Sequence, residues 1–293
     1  MDNVNRITEI AKLAPRELDA HKGDFGRVLV VGGSSGMVGA PALAADAGLR
    51  GGAGLVTMAV PEPVQQAVAT LCSCATSVPL ACEKNGVLAP ASVRQVVLAA
   101  EQSDVLAVGP GFAVGPDRQN IVRAVLDQSR PAVLDADGLN NLVSISNWPQ
   151  LRACPLILTP HPGEFARLTG AGVEDVQADR QGAAVDAVRR WAGEGDLPLV
   201  CVLKGAGTVV VDRRRMWVND TGNPGMATGG SGDILTGLLA AMIAQGLAPF
   251  DAACLAVRLH GRAGDLAAAE LGEVSLTAVD LLDYLPAALR EIA

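Results

Sequence analysis

The chain has 293 residues and a formal net charge of −8, with 49% hydrophobic and 18% charged residues. A net acidic chain of this kind is a poor match for nucleic acid or for an anionic membrane surface, because both are bound through positive charge. The chain has no run of about 18 uncharged apolar residues and no apolar leader after its polar start, and its six cysteines form no CxxC pair, so we expect a cytoplasmic protein.

Short apolar runs alternate with longer alanine-rich segments along the chain. The predicted strands are Arg27–Val31, Leu55–Val60, Val105–Val108, Ala132–Asp135, Leu156–Thr159, Leu199–Leu203 and Thr208–Asp212. The predicted helices are Ala40–Arg50, Pro63–Leu71, Ala91–Glu101, Asp117–Gln128, Arg180–Trp191, Gly232–Gln245, Pro249–Leu271 and Thr277–Arg290. Strands that alternate with helices form βαβ units, so we expect a three-layer α/β/α sandwich around a mostly parallel sheet. A four-residue link with glycine joins the last two strands and predicts a hairpin.

No internal repeat and no low-complexity linker divides the chain, so we expect a single domain over residues 1–293. The glycine-rich stretches lie between a strand and a helix. Ligands of open α/β sheets bind beyond the carboxyl ends of the strands, and we expect the site there.

The most informative motif is the segment 222–233, GNPGMATGGSGD, which holds five glycines directly before an apolar helix. Glycine lets successive N–H groups converge on an anion, and the start of a helix adds a partial positive charge. Asp233, in the first turn, can take the proton of a hydroxyl that attacks a phosphoryl group held there. The pattern alone also fits a tight turn followed by a favourable helix-start charge.

Two other nucleotide-binding patterns do not fit this sequence. The segment 222–233 lacks the GxxxxGK[ST] spacing of a P-loop. The stretch 32–40, GGSSGMVGA, follows the first strand but has the wrong spacing for a GxGxxG fingerprint, and no acidic residue ends the next strand. We therefore expect the stretch 32–40 only to bring its backbone close to a ligand.

Several polar residues that follow strands have two interpretations each. Lys204 either grips nucleotide phosphates or is an ordinary lysine at a strand end. His161, between two prolines, either contacts the substrate or is a satisfied polar group. Glu164 is either a helix-start carboxylate or a partner for magnesium. Asp135 and Asp137 are either turn formers and helix caps or residues with a functional role.

The glycine motif, taken with the rest of the chain, resembles the signature of the ADP- or ATP-dependent NAD(P)H-hydrate dehydratases, a family of the ribokinase-like superfamily. Similar segments follow in the family's order along about residues 15–290. They are HKGDFG at 21–26, GGSSGMVGA at 32–40, GPG at 109–111, DADGLN at 135–140, TPHPGE at 159–164, KGAGT at 204–208 and HGRAGD at 260–265. Gly138 stands where the family has alanine. Lys22, in the first of these segments, is a candidate phosphate contact.

The resemblance implies a ribokinase-like fold and a reaction that repairs a damaged cofactor. ADP or ATP would phosphorylate the 6-hydroxyl of (6S)-NAD(P)H hydrate with Mg²⁺ present, and loss of phosphate would restore NAD(P)H. The resemblance makes Asp233 the catalytic base. It makes Ala40, Gly109, His161 and Asp233 substrate contacts, and Lys204, Gly205, Ala206, Gly207, Thr208 and Gly232 nucleotide contacts. It also implies a homotetramer.

Two departures from the pattern limit what the resemblance implies. Some family members carry an N-terminal epimerase domain, and we expect none here because only about 20 residues precede the first predicted strand. Ribokinase relatives use an NxxE motif near the metal, whereas residues 161–164 read HPGE, so the metal ligands stay unassigned.

Other functions remain open on the sequence alone. A small-molecule kinase of the hydroxyethylthiazole- or sugar-kinase type would use the same loop and Asp233 but release the phosphorylated product. A nucleotide sensor without catalysis fits less well, because a pure binding site gains nothing from a carboxylate beside phosphates. The sequence does not choose between ADP and ATP, or between NADH hydrate and NADPH hydrate.

Overall fold

A computed structural model describes residues 4–193 and 195–292. The strands are β1 (Asn5–Arg6), β2 (Arg27–Val31), β3 (Leu55–Pro61), β4 (Thr76–Leu80), β5 (Val105–Val108), β6 (Ala132–Leu134), β7 (Leu156–Leu158), β8 (Leu199–Leu203), β9 (Val209–Val211) and β10 (Arg215–Val218). The helices are α1 (Gly39–Arg50), α2 (Glu62–Leu71), α3 (Ala91–Glu101), α4 (Pro116–Leu126), α5 (Asp137–Val143), α6 (Trp148–Leu151), α7 (Pro162–Thr169), α8 (Val173–Ala178), α9 (Arg180–Ala192), α10 (Ser231–Ala244), α11 (Pro249–Leu271) and α12 (Ala278–Ile292).

The strands form one sheet in the order β1-β10-β9-β8-β7-β6-β5-β2-β3-β4. Neighbouring strands run parallel except β8 with β9 and β9 with β10. The antiparallel pairing of β8 with β9 confirms the predicted hairpin. The chain moves outward from β2 through β3 to β4 and then returns to place β5 on the other side of β2. The reversal creates a switch point between β2 and β5, where open α/β sheets bind ligands.

Both faces of the sheet are covered by helices. In β2, Val28 and Val30 belong to one apolar core and Leu29 and Val31 to the other, because successive side chains of a strand point to opposite faces. The first core includes residues of α1, α2, α10, α11 and α12, and the second includes residues of α3 to α9. The mostly parallel sheet between two helical layers confirms the predicted fold class.

Several elements were not predicted from the sequence. The strand β4 reads TSVPL and lies at the edge of the sheet, the place in a sheet where proline is tolerated because an outward N–H needs no partner. The two-residue β1 has no apolar run to mark it, and the apolar run in β10 is only three residues long, 216–218. The short helices α5 to α8 occupy segments between predicted strands. No helix among the described residues is both long enough and apolar enough to cross a bilayer.

The helices α1 and α10 lie in close contact although they come from opposite ends of the chain. A Cβ atom on Gly237 of α10 would overlap the carbonyl oxygen of Ala44 in α1. The glycine therefore lets the backbones of the two helices approach closely. This contact brings the start of α10, with its glycine motif, over the carboxyl ends of the central strands.

Candidate active site

A crevice at the switch point is built from the loops that follow β2 and β5. The amide of Gly33 donates a hydrogen bond of 2.9 Å to Pro110 O, and the hydroxyl of Ser34 donates one of 2.9 Å to Gly111 O. Ala40, in the first turn of α1, lies on the same crevice, because a Cβ on Gly111 would be 3.1 Å from the Cβ of Ala40. The facing surfaces here are backbone and small side chains, and these hydrogen bonds hold the two loops together.

The loops after β5 and β6 interlock through glycines. Gly109 has φ +128°, and a Cβ there would overlap the carbonyl oxygen of Asp135. A Cβ on Gly138 would likewise overlap the carbonyl oxygen of Val108. Gly138 is the position where the sequence departs from the alanine of its family, and the close approach of the two loops accounts for glycine in this chain.

A backbone turn at Ala136 sends its two neighbouring carboxylates in different directions. Ala136 has φ +46° and ψ −119°, a conformation that favours glycine and stores strain in an alanine. Asp137 accepts hydrogen bonds from the Ala113 amide at 2.8 Å and the Asn140 side chain at 3.2 Å, as expected for a turn former. The same interpretation is wrong for Asp135, whose carboxylate enters the buried cluster described next.

Asp135 is the centre of a buried charged cluster. Its side chain is 2% exposed and binds Lys204 Nζ at 2.5 Å through Oδ1 and Thr236 Oγ1 at 2.8 Å through Oδ2. Lys204 Nζ also lies 3.9 Å from Glu164 Oε2. Burial disfavours the ammonium ion, but the two carboxylates outweigh burial and raise the pKa of Lys204. Lys204, which follows β8, is therefore held as a cation by carboxylates from the segments after β6 and β7.

The N-terminus of α10 meets this cluster. A Cβ on Gly232 would be 3.4 Å from Lys204 Nζ, so the glycine backbone lies directly beside the ammonium ion. Asp233 follows in the same turn. Burial, reinforced by the negative charge of Asp135 and more weakly by that of Asp137, raises the pKa of Asp233 to about 7, although Lys204 acts in the opposite direction. A carboxylate with this pKa can accept a proton near neutral pH.

The glycine motif before α10 is seated on α11. Asp265 accepts hydrogen bonds from the Gly222 amide at 3.0 Å and from the Asn223 side chain at 3.1 Å. A Cβ on Gly264 would overlap the sulfur of Met226, so the absence of a side chain at Gly264 lets the motif pack directly on α11. The HGRAGD segment of α11 thus serves as the support of the glycine loop.

His260, in the same segment of α11, contacts the first turn of α10. Its Nε2 lies 3.2 Å from Ser231 Oγ. Burial lowers the pKa of His260 to about 4, so the ring is neutral at physiological pH. This neutral side chain helps to fix the start of α10 without adding charge.

The hairpin loop between β8 and β9 lies at the same edge of the sheet. The amide of Lys204 donates a hydrogen bond of 2.9 Å to Pro160 O at the end of β7, and the hydroxyl of Thr208 donates one of 2.9 Å to Gly205 O. Gly205 and Gly207 have φ values of +136° and +62°. These values favour glycine and let the loop turn within four residues.

His161 caps α7 with its own ring. Nδ1 accepts from the amide of Gly163 at 3.0 Å and that of Glu164 at 3.4 Å, so the ring proton of neutral His161 is on Nε2. Nε2 lies 3.4 Å from Glu164 Oε1, and Glu164 Oε2 accepts from the His161 amide at 2.8 Å. Half of the His161 side chain remains exposed and can contact a ligand while the ring holds the helix start.

Comparison with known proteins places the chain in a family. Residues 28–287 match the family model described as NAD(P)H-hydrate dehydratase. The chain belongs to this family. It is 44% identical over 284 residues to the bifunctional NAD(P)H-hydrate repair enzyme Nnr of Moorella thermoacetica, a match that covers 96% of this chain and 52% of that protein. The chain spans about half the length of the curated relatives it matches.

Solved structures show the same relationship. The ADP/ATP-dependent NAD(P)H-hydrate dehydratase of Bacillus subtilis, co-crystallised with ATP/Mg²⁺, is 33% identical with a TM-score of 0.80, and the match covers 96% of this chain and 95% of that one. An Arabidopsis thaliana ribokinase complexed with ribose and ATP is 14% identical with a TM-score of 0.54, over 89% of this chain and 98% of that one. The second likeness shows the fold alone and confirms the ribokinase-like architecture.

The dehydratase-family residues predicted from the sequence fall into two groups in the structure. Ala40 and Gly109 lie on the crevice between β2 and β5, whereas Lys204, Gly232 and Asp233 meet around the buried Asp135. Lys22 lies elsewhere, because its backbone contacts the glycine just before β3, at the amino edge of the sheet. A phosphate contact by Lys22 therefore does not fit the structure.

Sequence reasoning missed other members of the cluster. Thr236 donates to Asp135 from one turn inside α10, and its partner is 101 residues away in the sequence. His260 reaches Ser231 from a separate helix. Only the HGRAGD segment around His260 gave a signal, through its resemblance to the dehydratase family.

Proposed function

We propose that this chain catalyses the ADP- or ATP-dependent dehydration of (6S)-NAD(P)H hydrate back to NAD(P)H. The observation that carries the proposal is the position of Asp233 at the start of α10, beside Lys204 and with its pKa raised to about 7. Membership of the dehydratase family supplies the substrate, because the geometry alone fits phosphoryl transfer to many hydroxyl compounds.

The proposed first step is phosphorylation of the 6-hydroxyl group of the hydrate. Asp233 accepts the hydroxyl proton while the oxygen attacks the terminal phosphoryl group of ADP or ATP. The amides of Gly230–Asp233 and the ammonium ion of Lys204 stabilise the negative charge that the moving phosphoryl group carries. Hydroxide is a poor leaving group and phosphate is a good one, so this step prepares the elimination.

The proposed second step restores the reduced cofactor. The bond between C6 and the phosphate oxygen breaks, with the ring nitrogen lone pair assisting, and loss of a proton from the neighbouring carbon forms the ring double bond. Ala40, Gly109 and His161 contact the hydrated ring in this proposal, whereas the loop Lys204–Thr208 and Gly232 contact the nucleotide. The crevice between β2 and β5 suits the ring because its walls are backbone.

Magnesium fits this site as an ion that arrives with the nucleotide. Among the residues that the structure describes, no three His, Cys, Asp or Glu side chains are arranged to hold a metal. Mg²⁺ commonly binds one or two carboxylates together with substrate phosphates and water. Burial, together with the charge of Asp135, raises the pKa of Glu164, although Lys204 acts in the opposite direction. A nearby cation would favour the charged form of this carboxylate. Glu164 would hold the ion, which would offset the charge of the phosphates.

A small-molecule kinase is the alternative that uses the same residues. Product analysis separates the two functions. The purified chain is incubated with NADH hydrate or NADPH hydrate, ADP or ATP, and Mg²⁺. A dehydratase releases free phosphate and restores the absorbance of reduced nicotinamide, whereas a kinase accumulates a stable phosphate ester. No phosphate release and no recovery of absorbance with either nucleotide would contradict the proposed function.

The assembly is also proposed on family resemblance. We propose a homotetramer, and light scattering coupled to size-exclusion chromatography measures its mass directly. A monomer or dimer at micromolar concentration would contradict it.

A further inference from the structure

Arg180, the first residue of α9, binds the backbone at the start of the hairpin loop between β8 and β9, residues 204–208. One amino group of its guanidinium donates to the carbonyl oxygens of Leu203 at 2.9 Å and Lys204 at 3.1 Å. The other donates to the Gln177 side chain at 3.2 Å. Its Nε is buried and has no hydrogen-bond partner among the described residues. The side chain thus connects α9 to the point where β8 becomes the loop.

Helix stability does not explain an arginine at this position. The side chain of Asp179 already caps α9 by accepting from the Gly182 amide at 2.9 Å. A cation in the first turn opposes the helix dipole. Burial adds a second cost and lowers the pKa of Arg180. The contacts with the loop are the feature that offsets both.

The contacts of Arg180 with the two carbonyl oxygens also fix the direction in which the next N–H groups of the loop point. In a trans peptide the carbonyl of one residue and the N–H of the next point in opposite directions. Since Lys204 O faces Arg180, the N–H of Gly205 faces away from α9. No acceptor for this N–H is present among the described residues, which leaves it available to an anion. Gly205 has φ +136°, which favours glycine, and a Cβ there would be 2.5 Å from Arg180 Nη1, so a larger residue would force the guanidinium to move.

We propose that Arg180 is a positioning residue for nucleotide binding, which fixes the peptide planes after Leu203 and Lys204 so that the Gly205 amide faces the nucleotide phosphates. The inference rests on the proposed function for the identity of the ligand. Arg180 lies outside the glycine motifs and would act on the nucleotide only through the hairpin loop.

Calorimetric titration with ADP and ATP tests this role without the hydrate. Arg180→Met keeps much of the bulk but removes every donor, and we expect the nucleotide Kd to rise about tenfold, as for the loss of hydrogen bonds to a charged group. Arg180→Lys keeps a cation, but its side chain is shorter and has no second amino group for the contact with Gln177, so we expect a rise of about threefold. Arg190→Met, an exposed position on the same helix, is the matched control and leaves the Kd unchanged.

Steady-state kinetics separates positioning from a general structural role. Arg180→Met raises the KM for the nucleotide and leaves the KM for the hydrate unchanged, whereas a general loss of structure raises both. An unchanged nucleotide Kd in folded Arg180→Met, or in Arg180→Lys if the first variant does not fold, overturns the inference. A parent chain that binds nucleotide without restoring NAD(P)H contradicts the proposed function and leaves the result on Arg180 standing.

Discussion

The two halves of the carboxyl edge are built by opposite means. Between β2 and β5 the walls are glycines and backbone carbonyls, and a single added methyl group at Gly109 would meet a carbonyl oxygen. From β6 to β8 the site consists of buried charges, with Asp135 and Glu164 each within 4 Å of the Lys204 ammonium ion. The first half depends on close backbone packing that only glycine permits, and the second depends on charges that compensate one another.

The two halves therefore respond differently to substitution. The glycine half has no functional side chain to remove, so it fails only when something is added. The charged half tolerates no unbalanced removal, because a buried charge without its partner is strongly destabilising. Predictions for the two halves therefore differ in kind: additions should break the crevice, and deletions should break the chemistry.

The largest effect is expected for Asp233→Asn. The change removes the proton acceptor but keeps size and shape, so kcat should fall about 10²- to 10⁴-fold while nucleotide affinity is kept or improved. Recovery of NAD(P)H absorbance and calorimetry measure the two quantities. If Asp233 were only a helix-start charge, the variant would lose about 0.3–1 kcal/mol of stability and keep its rate. A variant that melts earlier yet turns over at the parent rate would contradict the assignment.

An addition to the glycine half should unfold rather than slow the protein. Gly109→Ala combines a backbone strain at φ +128° with overlap against the carbonyl of Asp135, and we expect a loss of about 3 kcal/mol in the free energy of unfolding. Gly39→Ala is the matched control, because no atom lies within 4 Å of a Cβ there. Denaturant titration compares the two variants. Equal stability of both would show that the interlocked loops can separate freely.

Lys204→Ala sharpens the contrast within the charged half. We expect nucleotide binding to weaken by about 1–3 kcal/mol, as for loss of a charge-assisted hydrogen bond. We also expect a loss of stability, because Asp135 and Glu164 would stay buried without their cation. The control is Lys22→Ala, whose backbone lies at the amino edge of the sheet and which should bind nucleotide like the parent. Calorimetry with ADP and ATP measures both, and equal losses in the two variants would contradict the placement of the nucleotide.

The smallest effect is a pH dependence that the glycine half cannot produce. Asp233 must be deprotonated to act as a base, and its pKa is raised to about 7, so the active form declines as the pH falls below 7. Below that pH we expect kcat/KM to fall, with a slope that approaches about tenfold per pH unit. His260 adds no limb there, because its pKa lies at about 4. A flat profile between pH 5 and 8 would contradict a base with this pKa.

The sequence predicted the features that have a local pattern. The strand Arg27–Val31 and the hairpin after Leu199 follow from short apolar runs and a glycine link, and Asp233 follows from the glycines before it. Features that depend on partners far away in the sequence were not predicted. Thr236 and Arg180 act on residues 101 and 24 positions away, and neither has a neighbouring pattern that indicates its role. The role of Asp135 stayed open for the same reason, since its partners come from the loop after β8 and from α10.

The close packing of α1 on α10 has a consequence for the synthesis of the protein. Ala44 and Gly237 are about 190 residues apart, and a ribosome adding about 5–20 residues per second emits them roughly 10–40 s apart. During that interval α1 has no α10 to cover its apolar face, although its own strands β2 and β3 are already available. The side chains of β5 and β6 that belong to the same core are then equally uncovered. The carboxyl edge of the sheet reaches its final form only after α10 has been made.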